Sequence, residues 1–172
     1  MGAFTGLRDA KRGFNSNPLR PGKVVARIDK CEMFDSDKGE FWKNTLTVLA
    51  VVDGDHKPGE IVHTFFKYTN TAEMREVFQR NLKAFIANVL NVDDENVDES
   101  VAKRIIDEGE KSDMIGLVTV VTARSRTSKK SKDEKTGEPF EYTVYSWEPS
   151  LDEAAIREAI GDAAYKQFFP NG

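Results

Sequence analysis

The 172-residue sequence predicts a mainly β domain with helices: three strands, a helical insertion, two further strands and a C-terminal helix. Three observations carry this. Apolar and polar residues alternate through 24–29, 41–52 and 61–68, the period of strands with one buried face. From Thr71 the apolar spacing changes to threes and fours, the period of a helix. Strand character then returns on either side of a polar, basic run at 124–135.

Taken in order, residues 1–20 scatter Phe4, Leu7 and Phe14 among Gly, Asn and Pro, and are expected to form a flexible N-terminal arm. Pro21-Gly22 is a turn signal, after which Val24, Ala26 and Ile28 share one face of strand 1. Asp35 to Gly39 reads as a turn. Strand 2 then puts Leu46, Val48, Ala50 and Val52 on one face and Phe41, Lys43, Thr45 and Thr47 on the other. Strand 3, Ile61 to Tyr68, sets Val62, Thr64, Phe66 and Tyr68 against His63, Phe65 and Lys67. Met74, Val77, Phe78, Leu82, Phe85, Ile86, Val89 and Leu90 make the first helix. Asp98-Glu99 opens a shorter second helix that closes near Gly109. Ile115 to Ala123 and Phe140 to Trp147 are strands 4 and 5, and Ser150 with Glu153 forms a capping box for a helix through Lys166. This order is that of a five-stranded OB-fold barrel with a helical insertion between strands 3 and 4 and a C-terminal helix. The OB-fold domain is expected over 21–149 and the C-terminal helix and tail over 150–172. Another small α+β sheet is the alternative, since sequence does not state strand order in space.

Composition excludes several classes. The longest uninterrupted apolar stretch, Leu49 to Val52, is far short of the roughly 20 residues that span a bilayer, and Met1 to Arg12 lack an apolar signal core. A lone cysteine, Cys31, forms no intramolecular disulfide and reads as packing. A soluble, cytoplasmic protein without membrane contact is expected. Two histidines, His56 and His63, provide no zinc spacing, and neither a phosphate loop nor GxGxxG is present. The carboxylates Asp93, Asp94, Glu95, Asp98 and Glu99 read as a solvated connection. No catalytic constellation, metal site or cofactor is expected, so the chain is read as no enzyme.

The net charge of −4 hides a segregation. Residues 1–30 hold seven basic and two acidic groups, and 124–135 hold six basic and two acidic, so the remainder is strongly acidic. Local basic patches on an acidic body suit a polyanionic partner. Single strands are held by a basic groove with aromatic rings on which bases stack, and OB-folds use strands 2 and 3 and the loops joining strands 1–2 and 4–5. The matching residues are Phe41, Trp42 and Lys43 on strand 2, Phe65 and Lys67 on strand 3, and Arg124, Arg126, Lys129, Lys130 and Lys132 in the expected basic loop. Trp42 shares parity with Leu46 and so stands between core and binding face, whereas Phe66 belongs with the core.

The stretches Leu19-Arg20-Pro21-Gly22-Lys23-Val24, Lys38-Gly39-Glu40-Phe41-Trp42 and Pro58-Gly59-Glu60-Ile61-Val62 with Phe65 carry a resemblance. The helix Met74 to Val92, then Ile115-Gly116-Leu117-Val118-Thr119-Val120, extends it over residues 14–148. The chain resembles phage-encoded single-stranded-DNA-binding proteins with an OB-fold, long known only as a domain of unknown function. The resemblance implies no cofactor and sequence-tolerant binding and protection of single-stranded DNA in phage replication or recombination, in the host cytoplasm, alongside replication or recombination proteins. The chain departs from the acidic recruiting tail of bacterial single-strand binders: Phe168 continues the helix face of Ile156, Ile160 and Ala164, which favours docking on the barrel or on a second subunit. The N-terminal arm and this helix are the expected homo-oligomer contacts. The rival function is a protein-interaction OB module, an assembly factor or host-enzyme inhibitor without DNA affinity.

Overall fold

A computed structural model describes residues 16–36, 39–68, 71–132 and 137–171. Among them, five antiparallel strands form one open sheet: β1 (Gly22–Ser36), β2 (Gly39–Asp53), β3 (Ile61–Tyr68), β4 (Val118–Lys132) and β5 (Pro139–Trp147), in the spatial order β3-β2-β1-β4-β5. Helices α1 (Ala72–Leu90) and α2 (Glu99–Glu108) lie between β3 and β4, and α3 (Glu153–Ile160) and α4 (Asp162–Phe168) close the chain. The mainly β architecture with helices agrees with the sequence. No closed barrel is formed, and no ladder joins β3 to β5 among the described residues. The sheet nevertheless curls until Phe66 of β3 and Tyr145 of β5, on its two edge strands, approach to 6.4 Å between ring centroids.

Irregular pairing supplies the curl. The register of β1 on β2 shifts at Lys23/Val24, at Val25/Ala26 and at Ile28/Lys30, so Val52, Leu49 and Asp29 are extra residues on their strands. Such bulges bend a strand and tighten its twist. They also exchange its faces. Val24, Ala26, Ile28, Trp42, Leu46 and Val48 face one core with Phe85, Ile86 and Val89 of α1 and Ile105 of α2. Beyond the Leu49 bulge Val51, not Val52, joins that core, and Val52 is 61% exposed, contrary to simple alternation. The opposite face carries a smaller core of Val25, Leu49 and Val118 packed on Ile156 and Tyr165 of α3 and α4, with Phe168 and Phe169 against it.

Helix ends follow local chemistry. Thr71 accepts the Met74 N–H to cap α1, and Asp98 accepts the Val101 N–H to cap α2. The expected single C-terminal helix is divided: Asp152, not Ser150, caps α3, and Gly161 at φ +88° separates α3 from α4. Of residues 1–20, only 16–20 are described. Pro18 bridges His63 in parallel, Leu19 is buried, and the Arg20 N–H donates to His56 Nε2 at 2.9 Å. This segment is therefore fixed to the edge of β3. The carboxylate of the junction is the half-buried Glu60, which accepts from Asn17 Nδ2 at 2.8 Å and from the Lys57 N–H at 3.0 Å. These donors, with His56, hold its pKa down at about 2.

Candidate functional site

The outer face of β1, β2 and β3, beyond the reach of α3 and α4, carries the aromatic residues of interest. The register places Phe34 opposite Phe41 and Phe41 opposite Lys67; in the next rank Glu32, Lys43 and Phe65 lie side by side, followed by Lys30, Thr45 and His63. Phe34 stacks on Phe41 at 5.3 Å with 14° between planes. Phe65 meets both rings edge-on, at 6.3 Å from Phe34 and 6.2 Å from Phe41. Phe34 is 36% exposed, Phe41 and Phe65 are half-buried, and Lys67 is exposed. A solvent-facing plate of three phenyl rings with interleaved ammonium groups can accept flat π-systems and anions together.

Phe41, Lys43, Phe65 and Lys67 thus come together as the alternation predicts. Phe34 completes the group and is the residue that sequence reasoning missed. Its signal is hairpin symmetry: Asp35 pairs with Glu40 and Ser36 with Gly39, so Phe34 must face Phe41. Trp42 is a correction. It is 1% exposed in the core, where its indole N–H donates to Asn44 Oδ1 at 2.8 Å and Asn44 donates on to Thr64 Oγ1 at 3.1 Å. A buried, hydrogen-bonded indole offers no surface to a ligand.

The basic run is also corrected. Arg124 to Lys132 is not a loop but the outer half of β4, paired with β5 through Arg124↔Val144 and Arg126↔Tyr142. Backbone pairing satisfies this polar segment where side-chain burial cannot. β1 accompanies β4 only as far as Gly22↔Ala123, so β4 and β5 continue outward as a two-stranded ribbon. Arg124 and Arg126 are exposed, with the parity of Val118 and Val120, and therefore lie on the same outer face as the phenyl plate. With Lys23, Thr122 and Asp53 they border a shallow depression of about 670 Å³ over Pro21 and Gly22. The backbones at its floor are in close approach; a Cβ on Gly22 would meet the Asp53 carbonyl oxygen at 2.4 Å. The side chains of Lys129, Lys130 and Lys132, and all of 133–136, lie outside the described residues.

The two groups sit at opposite ends of the sheet. Phe41 opens β2, whereas Asp53 beside the arginines ends it, a separation of about 40 Å along the strand. Between them α3 and α4 cover the outer face, held by Arg27, whose guanidinium donates to the Phe168 carbonyl at 2.9 Å and lies 5.6 Å from the Phe169 ring centre. Cys31 is buried beneath this face, where desolvation pushes its thiol up to about 12 and makes it an unreactive packing group. Among the described residues no helix is long and apolar enough to cross a membrane.

No protein-family model matches the chain, and no curated protein matches it. The functional reading therefore rests on the geometry of the outer face.

Proposed function

We propose that this protein binds single-stranded DNA without strong sequence preference and protects it, as a non-catalytic, cofactor-free component of phage DNA replication or recombination. The observation that carries the reading is the plate of Phe34, Phe41 and Phe65 on an open sheet face with Lys43 and Lys67 set among the rings. Bases unstacked from a single strand present their π-faces to such a plate while the ammonium groups pair with phosphates. Arg124 and Arg126 add positive charge at the far end of the same face, beyond the part that α3 and α4 cover. The sheet order and the approach of Phe66 to Tyr145 support an OB-type barrel whose final seam is made by side chains.

A duplex hides the faces that the rings would stack on, so preference for single strands is the direct test. Anisotropy titration of a labelled oligo-dT and of a matched hairpin at one salt concentration should show tighter binding of the single strand; equal affinities would refute the reading. The exposure of apolar Met33, which pairs with Trp42 and projects from the face opposite Phe34, favours a second reading, a protein-docking OB module. Its mark is absence of DNA affinity at every salt concentration.

A further inference from the structure

His63 lies in the rank next to Phe65, and its ring is 6.2 Å from the Phe65 ring at 45°. It is 8% exposed, and one of its two nitrogens is committed: Nδ1 accepts the Asn17 backbone N–H at 3.0 Å. The neutral ring must then carry its hydrogen on Nε2. Burial, and then the neighbouring Lys43, lower the pKa of His63 against the opposing pull of Glu32, which favours the neutral ring, while the Asn17 N–H on Nδ1 sets the tautomer. Among the described residues nothing accepts from Nε2–H, and no buried side-chain polar atom is left without a partner, so this N–H reaches the surface. The result is a single oriented donor, uncharged, beside the ring on which a base would stack.

Lys43 and Lys67 already provide cations for phosphates. A neutral donor in a fixed direction is better matched to a neutral acceptor on a base edge. Thymine presents the keto oxygen O4 where cytosine presents an amino donor. We propose that His63 reads the base stacked on Phe65, its Nε2–H donating to a keto oxygen, so that thymine and uracil are favoured over cytosine at this one position. This inference rests on the single-strand reading and adds a base preference to it. The Asn17 N–H is the positioning group, because it fixes which nitrogen donates.

The test compares dT15, dU15 and dC15 in anisotropy titrations of the full chain. The wild-type protein should bind dT15 and dU15 alike and dC15 roughly threefold to tenfold more weakly, the range of one net hydrogen bond. In His63→Asn the shorter amide keeps an acceptor for Asn17 but loses the outward donor, so the preference should vanish through weaker dT15 binding. In His63→Gln the longer amide can turn either way, so it should vanish through stronger dC15 binding. Each variant is first checked for a wild-type unfolding transition, and if one does not fold the other decides. Equal wild-type binding of dT15 and dC15, or a preference kept in the folded variants, overturns the role of His63 alone. Failure of all three strands to bind overturns the single-strand reading and this inference with it.

Discussion

At the scale of single residues, position on the sheet separates rings that composition alone treats alike. Phe65 and Phe66 are adjacent, yet Phe66 packs on Phe85 at 5.9 Å in the core while Phe65 joins the outer plate. Alanine at Phe34 or Phe65 should weaken oligo-dT binding by ~1–3 kcal/mol with little change in unfolding midpoint. Alanine at Phe66 should instead unfold the protein at markedly lower denaturant, at a loss of ~3–5 kcal/mol. Titration and urea melts on the three variants check this division, and an unfolded F65A would return that ring to the core. Glu60 carries a separate residue-scale expectation. Its pKa falls from 4.5 to about 2 on folding, through Asn17, the Lys57 N–H and His56. A depressed carboxylate stabilises the fold above its unfolded pKa, and that contribution is lost as pH drops through the folded value. Glu60→Gln should therefore be less stable at pH 7 and should lose less stability between pH 4.5 and 2 than the wild type does. Urea unfolding at a series of pH values measures it, and parallel curves would contradict the assignment.

At the scale of elements, the outer half of β4 is where the sequence reading and the structure part most. A run with no apolar residue at 124–135 carries no burial period, so propensity reads it as loop. The backbone pairing with β5 that makes it a strand is a long-range fact. A ribbon that presents Arg124 and Arg126 on one face holds its charges at a fixed spacing, as a loop would not. If both contact phosphate, Arg124→Gln with Arg126→Gln should lower affinity at low salt and flatten the slope of log affinity on log salt by about 1.4, at ~0.7 per phosphate on single strands. Base preference should stay as it was, since phosphate contacts carry no sequence information directly. An unchanged slope would remove the ribbon from the binding path. The C-terminal pair shows a smaller instance of the same limit. The helical face through Ile156, Ile160 and Phe168 is written in the apolar spacing, but the break is decided at Gly161, whose positive φ turns α4 back so that Tyr165 and Phe169 reach the outer core.

At the scale of the whole molecule, the arrangement is a curled sheet with one face closed by α1 and α2 and the other only partly covered by α3 and α4. The sequence by itself determined the order of the five strands with α1 and α2 between the third and fourth, the bounds of β3, the helix starts near Thr71 and Asp98, and the polar-face grouping of Phe41, Lys43, Phe65 and Lys67. All of these are local: a period of two or of 3.6, or a side chain that satisfies a nearby N–H. Only the tertiary structure decided that Phe34 belongs with the plate, that Trp42 does not, that Val52 is exposed, and that the sheet stays open. The physical reason is common to the first and third. One extra residue at Asp29 and another at Leu49 exchange the faces of β1 and β2 beyond them, and a bulge exists only as a mismatch between two paired strands. Trp42 is settled in the same non-local way, by Asn44 and Thr64, which give the buried indole N–H a partner across to β3. The open seam depends on where two strands far apart in the chain come to rest, at a separation that no residue of either strand encodes alone.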